Sequence, residues 1–163
     1  NNKPVIAMVD GIATAAGCQL ISSCDLAYSS SRAKYATPGV NIGLFCSTPM
    51  VPLSRTVGKK QAMEMLLTGD LIDANKALRI GLINDVFEED SLKENVFQIA
   101  KKISSKSSNT IKIGKEAFYK QKDMNLEDAY TFTSKVMTEN MLHDDSKEGI
   151  DAFLEKREPN WKK

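Results

Sequence analysis

Ten residues near the start, Asp10-Gly11-Ile12-Ala13-Thr14-Ala15-Ala16-Gly17-Cys18-Gln19, constrain this chain more than any other stretch. They follow an apolar run, Pro4 to Val9, that reads as a buried strand, and they precede Leu20 to Cys24, which reads as a short helix. Small residues at a strand-to-helix turn let a ligand come close to the backbone. The amides at the head of the helix lack intrahelical acceptors and lie at the positive end of its dipole. Such a turn suits an anion or a developing oxyanion. Its last residue, Gln19, is an amide where an acid would be useful.

Short strands and helices alternate through the first half. Asp25–Ser29 and Lys34–Thr37 read as strands, Thr37-Pro38-Gly39 as a turn, and 42–48 as an irregular loop of small residues. Thr48 is the expected N-cap of a helix with Pro49 in its first turn. Helices dominate from residue 59: Lys59–Leu67, then a helix capped by Asp73 that ends before Gly81. Leu82–Phe87 reads as a strand. A capping box at Ser91–Glu94 opens a helix whose Val96, Ile99, Ala100 and Ile103 share a face. Asn109 is the expected cap of a helix to Gln121, followed by helices at Leu126–Leu142 and Glu148–Lys156. The chain is expected to divide at residue 90, with a core over 1–90 and a helical region over 91–163.

The composition narrows the function. Lys and Arg total 22 against 21 Asp and Glu, a net charge of +1, which provides no strong field for nucleic acid or an anionic membrane. The pairs Lys101-Lys102 and Lys162-Lys163 read as solvated faces. No run approaches the ~20 apolar residues of a membrane span. Cys18, Cys24 and Cys46 lack C-x-x-C spacing and read as small core fillers in a reduced compartment. The single histidine, His143, leaves no basis for a histidine metal site or a nucleophilic triad, so no metal is expected; it reads as a surface residue. Asp10 and Asp25 flank turns, and Glu64 and Asp70 read as ion-pairing or capping groups. The chain enters its first strand almost at once, which we read as a start within a domain.

The order of Pro4-Val5-Ile6-Ala7-Met8-Val9-Asp10-Gly11, Ser23-Cys24-Asp25-Leu26-Ala27 and Tyr35-Ala36-Thr37-Pro38 with Gly43 resembles the crotonase (enoyl-CoA hydratase/isomerase) family. So do Ala62 to Gly69, Ala77 to Ile83 and Gly149 to Arg157. Within that family, Ala13–Gln19 and Gly43–Pro49 point to one branch. The resemblance implies an α/β fold, the later part of a crotonase-like ββα spiral core, with a C-terminal helical region used for assembly into a homotrimer or a dimer of trimers. It implies an acyl-CoA small-molecule partner, CoA entering only as part of the substrate and no other cofactor, and no nucleic-acid or membrane partner. The compartment it implies is the cytoplasm of a bacterium or the mitochondrial matrix of a eukaryote.

The resemblance also assigns roles. The Ala16 N–H is one oxyanion donor, flanked by Ala15 and Gly17, and an amide from an upstream half supplies the other. Hydratases of the family shuttle a proton with two glutamates, whose positions here hold Gln19 and Gly39. A glutamine does not titrate near neutral pH, and glycine has no side chain. General acid–base assistance is worth ~10²–10⁴-fold, so ordinary hydratase activity is not expected. Asn41, Cys46, Ser47 and Thr48 are expected near the acyl pocket, with Thr37 a possible hydrogen-bonding group. In the tail, Phe153 and Lys156 lie one helical turn apart and by resemblance could meet the CoA nucleotide. Two readings stay open: an acyl-CoA lyase or isomerase relying on enolate stabilisation, and a non-catalytic CoA-binding or assembly protein.

Overall fold

Two three-stranded sheets share the first part of the molecule, and their parallel pairings place the turn of interest at the end of a strand. The computed structural model describes residues 1–161; the Lys162-Lys163 pair lies outside them. Strands β1 (Ile6–Val9), β3 (Leu26–Ser30) and β6 (Asp85–Phe87) form one parallel sheet in the order β1-β3-β6, with Ile6 opposite Leu26 and Tyr28 opposite Asp85. Strands β2 (Ile12–Thr14), β4 (Lys34–Ala36) and β5 (Ile72–Asp73) form the other, β2 parallel to β4 and β5 antiparallel to it. Parallel neighbours cannot be joined by a tight hairpin, and helices lie in each of the connections between them.

Helices α1 (Ala16–Ser23), α2 (Ser47–Thr56), α3 (Lys59–Thr68) and α4 (Ala74–Arg79) pack with these sheets around a core that includes Cys18, Ile21, Tyr35, Cys46, Leu53, Met65 and Leu66. Tyr35 is fully buried, and its hydroxyl donates to Ser29 Oγ at 2.7 Å, satisfying a polar atom inside the core. Helix α5 (Glu89–Ser104) lays Leu92 and Val96 against Tyr28 and Ile6 of the first sheet. The remaining helices are α6 (Ser108–Gln121), α7 (Leu126–Met141) and α8 (Asp144–Glu155). The chain forms two compact units, Val5–Ala100 and a second made of Asn1–Pro4 with the residues from Lys101 onward.

Several boundaries differ from the sequence reading. The stretch from Asp10 to Gln19 contains a three-residue strand, β2, too short for alternation to reveal. Helix α1 begins at Ala16, four residues before Leu20, because one strained residue rather than a polar cap starts it. Residues Pro38–Ile42 form a 3-10 helix, and α2 is capped at Cys46, not Thr48. Strand β6 covers only Asp85–Phe87 of the expected 82–87. Helix α5 starts at Glu89, which puts Ser91 inside it, with its hydroxyl on the Glu88 carbonyl. Ser107 caps α6 where Asn109 was expected. Helix α8 starts four residues before Glu148, with His143 as its cap: His143 Nδ1 accepts from the Asp145 N–H at 3.2 Å. Asp73 does cap α4, accepting from the Lys76 N–H at 2.7 Å.

Candidate functional site

The turn is built by one residue. Thr14 pairs with Ala36, and the next amide, Ala15 N–H, donates to the Ala36 carbonyl at 3.0 Å, extending the ladder. Ala15 then turns through φ 46° and ψ −109°, a conformation with positive φ that L-residues rarely adopt. This reverses the carbonyl, which accepts from the Gln19 N–H at 2.9 Å as the first bond of α1. No side chain caps the helix. Its first amides, at Ala16, Gly17 and Cys18, therefore lack intrahelical acceptors, and Ala16 is exposed to solvent.

Gly17 is informative for what it does not do. Its φ is not positive, and a Cβ placed there would meet only Ala13 Cβ at an ordinary 3.6 Å. Glycine in a helix costs ~1 kcal/mol relative to alanine. The fold of this unit does not require it.

Gln19 follows on α1, half-buried, with its carbonyl accepting from Ser23 Oγ at 2.8 Å. Gly39 lies three residues beyond Ala36, in the 3-10 helix, so the β2–β4 pairing brings the two polypeptide segments side by side. Gly39 and Cys46 touch: the Gly39 N–H donates to Cys46 Sγ at 3.3 Å, and the Gly39 carbonyl accepts from the Leu44 N–H at 2.9 Å. Cys46 is buried, whereas Ser47, the first residue of α2, is exposed with its hydroxyl on the Phe45 carbonyl. Thr37 is fully buried, and its hydroxyl has no hydrogen-bond partner among the described residues. Burial pushes the Cys18 thiol up to about 11, which leaves it protonated and inert at neutral pH.

The acids near the turn are committed to structure. Asp10 holds Arg32 through two hydrogen bonds, at 2.9 and 2.7 Å, and the guanidinium keeps its carboxyl below the ordinary range. Asp25 Oδ2 accepts from the Val5 N–H at 2.6 Å. Glu64 pairs with Lys76 at 2.9 Å. A groove of about 640 Å³ runs along β1 and the outer side of α1, lined by Val5, Met8, Ile12, Gly17 and Leu20 among others. Gly17 lines it, whereas Gln19, Gly39, Cys46 and Ser47 do not.

Phe153 and Lys156 belong to the second unit. Phe153 is 81% exposed on the last turn of α8, and Lys156 is its C-cap, in the left-handed conformation at φ 55°.

Three features of this region escape a reading of the sequence: the φ of Ala15, the unpaired hydroxyl of Thr37, and the contact of Gly39 with residues 44–46. A polar cap before α1 would have marked its start, and its absence was the available signal.

Two sheets of mainly parallel strands, connected by helices and followed by a helical C-terminal region, define an α/β protein of the crotonase fold. The whole chain, residues 1–163, matches the family described as Enoyl-CoA hydratase/isomerase, and the chain belongs to that family. It is 52% identical over 158 residues to the mitochondrial Enoyl-CoA hydratase domain-containing protein 3 of Rattus norvegicus, covering 97% of this chain and 53% of that protein. The structure of the human protein of that name superposes with a TM-score of 0.96 at 52% identity, over 99% of this chain and 64% of the other. An enoyl-CoA hydratase structure from Mycobacterium smegmatis also gives a TM-score of 0.96, at 46% identity, over 98% of this chain and 62% of the other. The branch suggested by Ala13–Gln19 and Gly43–Pro49 is the one the first two represent. The chain spans about half the length of the curated relatives it matches.

Proposed function

We propose that this chain carries part of an acyl-CoA thioester site in which the Ala16 N–H polarises the thioester carbonyl and no glutamate shuttles a proton. One observation carries the reading: Ala15 accepts a strained backbone to bare the first amides of α1, while the adjacent Gly17 is a glycine the fold does not need. Strain and an unneeded glycine at one turn fit a close approach by ligand atoms. An enolate oxygen set against these amides is stabilised without any titrating side chain. Gln19 then orients the acyl group or a water. Cys46 and Ser47 belong to the pocket wall by resemblance, as Phe153 and Lys156 do to a nucleotide site.

A second reading is a non-catalytic CoA-binding or assembly protein. It is favoured by the exposed apolar surface of the second unit, where Leu142, Phe153 and Leu154 are 83, 81 and 72% exposed. That surface suits contact between copies in a homotrimer or a dimer of trimers. The relatives named above as mitochondrial suggest the matrix as the compartment in a eukaryote.

Calorimetric titration of the full-length protein with acetyl-CoA and crotonyl-CoA, together with a crotonyl-CoA hydration assay, tests both. Binding with weak or absent hydration is expected. Rapid hydration abolished by Gln19→Ala would overturn the reading of the replaced glutamates. No binding of either thioester would overturn both.

A further inference from the structure

Gly39 is a glycine for want of room. Its φ is not positive, so backbone conformation does not demand it. A Cβ added there would lie 2.6 Å from the Leu44 carbonyl oxygen, 2.9 Å from Cys46 Sγ and 3.2 Å from the Cys46 nitrogen. Two of those three atoms are backbone. The closure is held by three hydrogen bonds, Leu44 N–H to Gly39 O at 2.9 Å, Gly43 N–H to Val40 O at 3.3 Å and Gly39 N–H to Cys46 Sγ at 3.3 Å. Gly43 permits the fold-back, since it takes up the left-handed conformation at φ 76° with no atom near its missing side chain.

The contact at Gly58 differs in kind. At Gly58 a Cβ would lie 2.7 Å from an atom as well, but that atom is Gln61 Oε1, the end of a flexible side chain that swings away at little cost. At Gly39 the first obstacle is a carbonyl fixed in the loop.

We propose that the 43–46 segment is a built-in block on position 39, with Leu44 and Cys46 as the residues that determine it. No side chain can project from position 39 while the loop is closed; the wall there is a carbonyl and a thiol. The carboxylate that the family resemblance expects at this position is therefore excluded by the loop as well as absent from the sequence, and substitution at position 39 alone does not regain it. This deepens the reading of a thioester site without a proton shuttle and rests on it for its chemical meaning. The block itself is tested without any thioester.

The test is thiol labelling of the folded chain, located by peptide mass spectrometry. In Gly39→Ala the loop must open, so Cys46 should label at least tenfold faster than in the unsubstituted chain, while Cys18, fully buried in the core, stays protected and reports intact folding. Gly58→Ala should leave both rates unchanged. Equal Cys46 labelling in Gly39→Ala and the unsubstituted chain, with Cys18 protected, overturns the proposal. Should Gly39→Ala fail to fold while Gly58→Ala folds, amide exchange in Cys46→Ala decides. Loss of the thiol acceptor should speed exchange at the Leu44 amide at least fivefold with the core amide of Leu66 unchanged, and unchanged exchange at Leu44 overturns the block. Thioester titration of the unsubstituted protein separates this outcome from failure of the site reading.

Discussion

The Ala15 N–H donates to the Ala36 carbonyl at 3.0 Å, and this bond joins the strained turn to the strand that leads into Gly39. It anchors Ala15 on one side while α1 pulls its carbonyl the other way, so the residue is held at φ 46° by structure on both sides. Glycine adopts that conformation freely. Ala15→Gly should therefore relieve ~1–3 kcal/mol of strain against an unfolded-state entropy penalty of ~0.4–1 kcal/mol. The expected net effect in urea denaturation is stabilisation by about 1 kcal/mol. Destabilisation would mean that the turn is not strained.

Gly17→Ala separates stability from function. With a Cβ contact of 3.6 Å and an ordinary φ, the substitution should stabilise α1 by up to ~1 kcal/mol. If ligand atoms approach this backbone, the same methyl group should weaken acyl-CoA binding by roughly tenfold, about 1.4 kcal/mol. Chemical denaturation and calorimetry on the same protein read the two effects. Tighter folding with unchanged binding would remove Gly17 from the site.

Gln19→Glu restores one carboxylate at a position where the side chain keeps its size. The variant should fold normally, because Gln19 is half-buried and, among the described residues, only its backbone is hydrogen-bonded. A proton shuttle needs its second member, and position 39 is closed. Crotonyl-CoA hydration by the full-length variant should thus rise by less than about tenfold, short of the ~10²–10⁴ that acid–base assistance provides. A larger rise in the steady-state assay would show that one carboxylate suffices.

In the second unit, Ser107 Oγ donates to Asp145 Oδ2 at 2.5 Å, and the same hydroxyl accepts from the Thr110 N–H as the cap of α6. Both residues are buried, and a charge-assisted bond of this kind is worth ~1.5–3 kcal/mol. Ser107→Ala and Asp145→Ala should each destabilise by about 2 kcal/mol, and the double variant by clearly less than their sum. Urea denaturation of the four proteins checks this. Additive losses would show that the bond contributes nothing.

The elements that could be read from the sequence are those whose signals are local. The apolar run Pro4–Val9 holds β1 at Ile6–Val9, although the strand is half-buried with Met8 exposed and not buried as expected; α3 ends within a residue of the expected Leu67, and Asp73 caps α4 as expected. Helix starts were misplaced where more than one residue could cap. Ser107 precedes Ser108 and Asn109, and a histidine holds the start of α8. At the site, Gln19 and Gly39 were legible as identities. Their setting was not: the obstruction at position 39 comes from a carbonyl and a thiol five and seven residues along the chain, brought back by a loop that no periodicity describes. The turn at Ala15 was hidden for a related reason, since alanine gives no local indication of positive φ.

Acid should loosen the end of α8. Glu148 accepts two hydrogen bonds from Arg157, at 2.7 and 3.1 Å, and one from the Asn160 N–H at 2.6 Å, fastening the segment after the helix back onto it. Arg157 first, and then the Asn160 amide, hold the Glu148 carboxyl down at about 2, against its usual 4.5. A carboxyl depressed by folding contributes stability that is complete above its unfolded value and vanishes as pH falls through the folded one. The contribution should therefore be constant above pH 4.5 and disappear between pH 4.5 and 2. The pair is partly solvated, which keeps the effect small and sensitive to salt. Glu148→Gln should lower the melting temperature at pH 6 and converge with the unsubstituted chain near pH 2, and the fluorescence of Trp161, whose ring lies 3.1 Å from the Cβ position of Gly149, should follow the same titration. Parallel melting curves at all pH values would show that the interaction leaves the folded state no more stable than the unfolded one.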